Sequence, residues 1–415
     1  MKLRILTFNL FFDEKARYIR MKAIGRLVEN TRPAVIGFQE VTREMLAMLK
    51  AQNWARYYDC SADMVPPLEA PYFVVLFSAL PVQDVQTYPF VNSKMGRELV
   101  YMQIEPILGK TLIIGTAHLE SLPQFSTIRV AQFKESLTLL RDRVKKMSLK
   151  TDPKRQNGTK RPRDEGKICM GAIFMGDTNL LRSDMKLLDP HLAVFADITV
   201  EMSKTGRAKC RICGNLIQKG VIRVGKIMKE KVSGGNKMRE IQRWLHVDCY
   251  LSVSLTTDEE KVFVQRKRKQ LDGKELDKDD GEELDMATVG LPNGWKDLWL
   301  SVPGNTEENG YTFDGTRNTL VTSRSFRSRL DRMYFYLAPT DETVRCVFDE
   351  IAIVGQQKIT DGIWPSDHFG LLGTFDIREE DEKRDAHDAK AESKKAKRTK
   401  SSSHVGSRHS PISIE

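Results

Sequence analysis

Four apolar stretches of strand length end in polar side chains, and that repetition limits the fold more than any other feature of the chain. Leu3–Leu10 carries Asn9 near its end, Ala34–Glu40 closes on Glu40, Thr111–His118 closes on His118, and Ile173–Asp177 closes on Gly176 and Asp177. One strand ending in a carboxylate or a histidine is ordinarily a solvated edge. Several that end alike imply a shared sheet edge where polar groups collect. Between the first two stretches, Ile19, Ala23, Ile24, Leu27 and Val28 fall on one helical face, and Pro33 bars the helix from continuing. Strand, helix, strand is an α/β opening. Further on, Val130, Phe133, Leu137, Leu140, Val144 and Met147 alternate steps of three and four, the stripe of an amphipathic helix facing a core.

The run Gly176-Asp177-Thr178-Asn179 sets a carboxylate and a carboxamide two residues apart. At that spacing both side chains can address one phosphate, Asp177 handling a proton or water and Asn179 donating hydrogen bonds. Collected with the other strand ends, the candidates are Asn9, Glu40, His118, Asp177, Asn179, Asp331, Asp367 and His368. Hard oxygen donors with imidazoles suit a magnesium ion and a phosphate better than they suit zinc.

A chain of 415 residues has room for two domains, or for one large domain with an insertion. No apolar run approaches a membrane span, and the charged start (Lys2, Arg4, Asp13, Glu14) is unlike a signal peptide, so a soluble intracellular protein with no membrane partner is expected. The net charge of +10 points toward an anionic partner. Composition divides the chain into a first catalytic part at 1–200, a basic cysteine-bearing insert at 203–256 and a flexible charged connector at 257–286. A second catalytic part at 287–378 and a disordered basic, Ser-rich tail at 379–415 follow. Residues 150–167 read as a basic loop.

The order of Thr-Phe-Asn (7–9), Phe-Gln-Glu (38–40), His-Leu-Glu-Ser (118–121), Gly-Asp-Thr-Asn-Leu (176–180), Arg-Leu-Asp-Arg (329–332) and Pro-Ser-Asp-His (365–368) resembles the endonuclease/exonuclease/phosphatase superfamily. Together with Ser-Lys-Met-x-Arg-x-Leu (93–99), these segments are most similar to its 5′-tyrosyl-DNA phosphodiesterase branch, which removes trapped topoisomerase II from DNA ends. The resemblance implies an α+β fold, a four-layer sandwich of two β-sheets flanked by helices with the site at one edge. It implies that Glu40, Asn9 and Asp367 hold Mg²⁺ (or Mn²⁺ in its place) and that Asp177 activates water. Asn179, His118 and His368 would stabilise charge on phosphorus, Asp331 would orient His368, and Arg97 and Phe313 would contact DNA. The sequence departs from that branch in having Phe8, Phe313 and Phe369 where Trp is usual there. An extra residue also separates Leu180 from Arg182, so the branch's arginine does not carry over to Arg182.

Within the insert, Cys210-x₂-Cys213 and His246-x₂-Cys249 give four soft ligands at zinc spacing. The flanking Thr205–Cys210 and Trp244–Cys249 resemble the poly(ADP-ribose) polymerase type zinc finger, which implies that Arg207 and Arg223 contact DNA. Residues 203–256 hold twelve Lys and Arg against three Asp and Glu, a charge suited to phosphate neutralisation.

The expected protein is a nuclear DNA-end phosphodiesterase with Mg²⁺ in its site and Zn²⁺ in its finger, acting on 5′-tyrosyl-DNA adducts of topoisomerase II. An apurinic endonuclease or other DNA-end nuclease of the superfamily would share the metal site. A non-catalytic adaptor for DNA breaks would keep the fold alone.

Overall fold

The computed structural model describes residues 1–150, 168–188, 198–231, 238–253, 256, 258–274, 285–338, 344–360 and 362–379. The basic loop over 151–167, residues 275–284 of the expected connector and the tail from 380 lie outside the described residues. Before the insert the strands are Lys2–Asn9 (β1), Val35–Val41 (β2), Asp59–Cys60 (β3), Phe73–Ser78 (β4), Val82–Pro89 (β5), Glu98–Ile107 (β6), Lys110–His118 (β7) and Ile168–Asp177 (β8). The insert contributes Ile198–Met202 (β9), Ile222–Lys231 (β10) and Met238–His246 (β11). After it come Trp295–Asp297 (β12), Phe313–Asp314 (β13), Arg327–Ser328 (β14), Asp331–Leu337 (β15), Val344–Val354 (β16) and Gly370–Glu379 (β17).

Two six-stranded sheets result, ordered β16-β17-β1-β2-β4-β3 and β12-β15-β8-β7-β6-β5. β1 runs parallel to β2 and β7 parallel to β8, while β15 runs antiparallel to β8. Parallel pairs end together, so the register sets His118 beside Asp177 on one sheet and Asn9 beside Gln39 on the other. The antiparallel start of β15 then brings Asp331 to the far side of Asp177. This is the shared edge that the strand endings implied.

Both faces of each sheet are covered, which is why the strands read as near-continuous apolar runs rather than alternating ones. Leu3, Ile5, Val35 and Leu76 of the first sheet pack against Met102, Ile114, Ile173 and Met175 of the second. The helix Ser126–Lys150 covers the second sheet with Val130, Phe133, Leu137, Leu140 and Val144, the stripe expected from sequence. Helices Arg17–Thr31 and Arg43–Lys50 cover the first sheet with Met21, Ile24, Val28, Met45 and Leu49. The fold is therefore the α+β four-layer sandwich.

The first helix differs from the expected face at its start. Ile24 and Val28 point inward as expected, but Ile19 is 44% exposed, and Arg20 and Met21 are buried in its place. The guanidinium of Arg20 needs buried acceptors, and it finds them in the loop after β1: it donates to the carbonyls of Leu10, Phe11 and Lys15 at 2.8–3.0 Å.

Glu98 opens β6 buried in this core, and neither of its carboxylate oxygens has a well-formed hydrogen bond. Burial pushes its carboxyl from 4.5 up to about 7, with only partial relief from the Leu68 backbone N–H. The unfolded chain ionises near 4.5 and the folded chain near 7, so this group costs stability as pH rises through that window. Glu98→Gln is expected to raise stability by up to about 3 kcal/mol at pH 8 and far less at pH 5. Denaturant midpoints at the two pH values check this; equal gains at both would show that the charge is not the cause.

The insert has its own sheet, β11-β10-β9, and its own small core of Ile198, Ile217, Ile222, Val224, Leu245, Val247, Tyr250 and Val264. Its extent corrects the sequence reading at both ends. Ile198–Val200, assigned there to the catalytic part, belong to the insert's first strand, Ile198–Met202, because it pairs with β10 and buries Ile198. Asp258–Leu271, assigned to the flexible connector, is a helix. Val264 is wholly buried, and Glu260 accepts from the Tyr250 hydroxyl at 2.9 Å and from Lys226 Nζ at 3.0 Å. Charge-rich composition disguised those few anchoring contacts. Among the described residues no helix is long and apolar enough to cross a membrane.

Candidate active site

Asp177 ends β8 at the centre of the shared edge. Gly176 before it has φ +143°, and a Cβ there would lie 2.1 Å from the Ala117 carbonyl oxygen, so only glycine lets β8 run this close to β7. The carboxylate is held on both sides. Asn9 Nδ2 donates to its Oδ2 at 2.8 Å, and the Asn179 backbone N–H donates to its Oδ1 at 3.0 Å. Glu40 (φ +57°) and Asn179 (φ +50°) both sit in the left-handed region, at about 1 kcal/mol each, as strand-exit residues at functional sites often do.

Two imidazoles flank Asp177 in opposite charge states. His118 Nε2 lies 3.3 Å and His368 Nε2 3.7 Å from Asp177 Oδ2. His118 Nδ1 faces Arg97 Nη1 at 3.0 Å, and a guanidinium can only donate, so Nδ1 is the acceptor and the proton sits on Nε2. Burial first, then the charges of Arg97 and His368, keep the His118 ring well below its ordinary pKa and neutral. His368 Nδ1 instead donates to Asp331 Oδ2 at 2.7 Å. Burial opposes its charge, but Asp331 and then Asp177 carry it well above 6.5, so the ring is an imidazolium. One neutral and one cationic N–H donor thus converge on the space in front of Asp177.

Glu40, His118 and Asp177 bring ligand atoms within 4.8 Å of one another, as do Asp177, Asp331 and His368. Burial raises the Asp177 carboxyl to about 6; His368 opposes this, and Asp331 and Glu40 add to it. Asp367 rises to about 7 by burial, against His368 and with the help of Glu40. Buried carboxylates that raise one another are what a hard divalent cation relieves, so the donor set fits one. Glu40 Oε2 accepts from the Phe12 backbone N–H at 3.0 Å, which ties it to the loop that Arg20 braces.

Several residues take tasks other than those first given to them. Asn9, expected on the metal, gives its amide to Asp177 and accepts from the Phe11 N–H at 2.9 Å. Asn179, expected on phosphate, donates its amide hydrogens to Leu119 O at 3.1 Å and Ser121 Oγ at 3.3 Å, fixing the turn beneath His118. Arg97, expected on DNA, is 5% exposed, orients His118 and reaches Ser121 Oγ at 3.1 Å. Arg223, also expected on DNA, is 8% exposed; its guanidinium pairs with Glu201 at 2.5 Å and lies 3.6 Å from the centre of the Trp244 ring. Arg207 is exposed, and Phe313 packs its ring 4.9 Å from His368. Arg182, left unassigned, faces the insert rather than the site.

Cys210, Cys213, His246 and Cys249 bring their ligand atoms within 4.8 Å of one another. His246 offers Nδ1, 3.3 Å from Cys213 Sγ and 3.9 Å from Cys249 Sγ, close to the edge length of a zinc tetrahedron at roughly 3.5–4 Å. Burial opposes the Cys210 thiolate, yet backbone N–H groups of Cys213, His246 and Ile212 lower it to about 6. Three thiols and one imidazole in this arrangement fit zinc.

The residues that support the site were hardly visible in the sequence. Glu120 accepts from Ser93 Oγ at 2.8 Å and from the Lys94 N–H at 2.9 Å, pinning the loop that carries Arg97. Arg129 and Asp184 form a buried pair at 2.8 Å under the segment after Asp177. Arg329 and Arg332 clamp Glu307, and Arg329 also grips Asp297, fixing the start of β15 around Asp331. Burial works against the Glu307 carboxylate, but those two arginines hold it far below its ordinary range. Glu120 and the two arginines lie inside motifs already singled out, which was the available signal.

Comparison with known proteins agrees with this geometry. Residues 6–192 match the endonuclease/exonuclease/phosphatase family, and residues 201–288 match the poly(ADP-ribose) polymerase and DNA-ligase zinc-finger region. Residues 6–192 are thus similar to the endonuclease/exonuclease/phosphatase family, and the insert is similar to a zinc finger of that second kind. Among individual proteins the chain is similar to tyrosyl-DNA phosphodiesterase 2. The Gallus gallus protein of that name is 35% identical over 89 residues, 21% of this chain and 23% of the relative. The Xenopus laevis protein is 37% identical over 97 residues, 23% of this chain and 25% of the relative. The matched stretch thus spans about a quarter of these curated relatives. A crystal structure of D. rerio TDP2 complexed with a single-strand DNA product shares the fold, with a TM-score of 0.51 at 20% identity over 90% of this chain and 99% of that one.

Proposed function

We propose that this chain is a Mg²⁺-dependent phosphodiesterase that hydrolyses the 5′-phosphotyrosyl bond between DNA and a trapped topoisomerase II. Its place would be the nucleus, in DNA break repair, with the zinc finger holding the DNA end. The observation that carries the reading is the convergence of Asp177 with a neutral His118 and a charged His368 beside Glu40. The likeness to tyrosyl-DNA phosphodiesterase 2 supports the choice of bond.

In this reading Glu40 and Asp367 would hold the Mg²⁺, which when bound would supply Lewis-acid stabilisation of the charge on the phosphate. Asp177, fixed by Asn9 and the Asn179 N–H, aligns the attacking water and accepts its proton. His118 and His368 present Nε2–H donors where negative charge grows on the phosphoryl oxygens, and because Arg97 and Asp331 fix both rings they need no reorganisation. A tyrosine phenol has a pKa near ~10, far below that of an alkyl alcohol, so its departure needs little protonation.

One gel with 5′-tyrosyl, 3′-tyrosyl and abasic oligonucleotides, each with and without Mg²⁺, tests the reading. Release of tyrosine from the 5′ substrate alone, and only with Mg²⁺, is the expected result. Incision of the abasic strand alone would make the chain an endonuclease, and no cleavage of any substrate would leave an adaptor. Glu40→Gln is expected to raise the Mg²⁺ midpoint of the rate by about tenfold or more. An unchanged midpoint would move the ion onto Asp367.

A further inference from the structure

The segment that leaves the site through Asn179 ends in a bridge to the finger. Arg182 donates from Nη1 to Thr199 Oγ1 at 2.9 Å and to Glu308 Oε1 at 3.1 Å, and from Nη2 to the Ile198 carbonyl. Ile198 and Thr199 open β9, the finger's first strand, and Gln242 of β11 donates to the same Thr199 hydroxyl at 3.0 Å. Both ends of the bridge are anchored. Two residues beyond Arg182, Asp184 accepts from the Leu181 N–H at 2.8 Å and pairs with the buried Arg129. Glu308 follows Glu307, which clamps the two arginines on either side of Asp331.

Beside the bridge, a cleft of about 860 Å³ is lined by Val200, Met202 and Phe263 on the finger side and by Leu300, Val302 and Pro303 on the catalytic side. A guanidinium is suited to this task because its planar fork can hold several acceptors in a fixed relation, where a flexible ammonium would not.

We propose that Arg182 is a positioning residue that registers the finger against the catalytic centre, so that a duplex gripped by the finger delivers its end to Asp177 and His368. The proposal rests on the DNA-end reading above. A rigid link raises the effective concentration of the end at the site, and a slack one loses that gain without touching the chemistry.

The test uses the full chain and three substrates: the p-nitrophenyl ester of thymidine 5′-phosphate, a short 5′-tyrosyl single strand, and the same 5′-tyrosyl end on a long duplex. Arg182→Ala is expected to keep its zinc and its rate on the nitrophenyl ester. Its kcat/KM preference for the duplex over the short strand should fall about tenfold. Thr199→Val removes the acceptor while keeping the shape of the side chain, so it should give a similar loss, and the double variant should lose no more than either single one. Duplex preference that survives both substitutions, or losses that simply add, would overturn the registering role. So would a wild-type protein active on both tyrosyl substrates without preferring the duplex. A wild-type protein idle on all three substrates would instead overturn the DNA-end reading itself.

Discussion

Asp177→Asn is expected to lower turnover by about 10²–10⁴-fold while leaving fold, zinc content and DNA binding nearly unchanged. Asn keeps the size of the side chain and one acceptor oxygen, so the contact with the Asn179 N–H can survive. What it loses is the ability to take a proton, together with the charge that draws the His118 and His368 rings toward it at 3.3 Å and 3.7 Å. Asp177 ends a strand whose other residues are buried against both neighbouring layers, so the fold does not depend on the carboxylate for packing. Rates on a 5′-tyrosyl oligonucleotide, compared with binding of the uncleaved substrate, separate the two effects. A variant keeping more than about a tenth of the wild-type rate would remove Asp177 from proton transfer and leave it an orienting role.

Of the candidate catalytic residues, His118, Asp177 and Asp331 were legible because each sits where a parallel or antiparallel register forces it. Once β7, β8 and β15 pair, His118, Asp177 and Asp331 can only stand in a row, and the sequence shows the strand endings directly. What stayed hidden was the choice each polar group makes among nearby partners. Asn9 and Asn179 could equally have faced ligand, but the fold brings Asp177 and the Leu119 carbonyl within hydrogen-bond reach, and a buried amide takes the partner at hand. Arg97 and Arg223 were assigned to DNA because the resemblances to the phosphodiesterase branch and to the zinc finger imply it. Both are instead nearly buried, one against His118 and one between Glu201 and Trp244, and burial is not visible in a lone residue type. The helix Asp258–Leu271 was missed for a related reason. Its few inward residues, Glu260 and Val264 among them, were outnumbered by lysines and arginines, so composition spoke louder than periodicity.

Cys210→Ala combined with Cys213→Ala is expected to release the zinc and melt the finger alone. The finger's core is a handful of side chains, Ile198 to Val264, beneath a three-stranded sheet, and a module that small holds its shape through its metal. Structural zinc supplies roughly 10–16 kcal/mol in peptides of this kind, more than such a core can replace. The sheets that carry Glu40, His118, Asp177 and His368 have three cores of their own, so they should stay folded and cleave a short tyrosyl strand at close to the normal rate. Binding to a long duplex end should weaken and become less sensitive to salt, because residues 203–256 carry twelve Lys and Arg against three Asp and Glu. The finger is joined to the catalytic part by more than its two chain crossings, since Arg182 holds Thr199 and Glu308. Duplex preference should therefore fall here at least as far as the tenfold loss expected of Arg182→Ala, but with the zinc gone rather than retained. Zinc content, short-strand rate and end binding at two salt concentrations, measured on one preparation, decide the matter. If the short-strand rate collapses with the metal while the sheets remain folded, the finger forms part of the active site itself and the division of labour between the two modules is wrong.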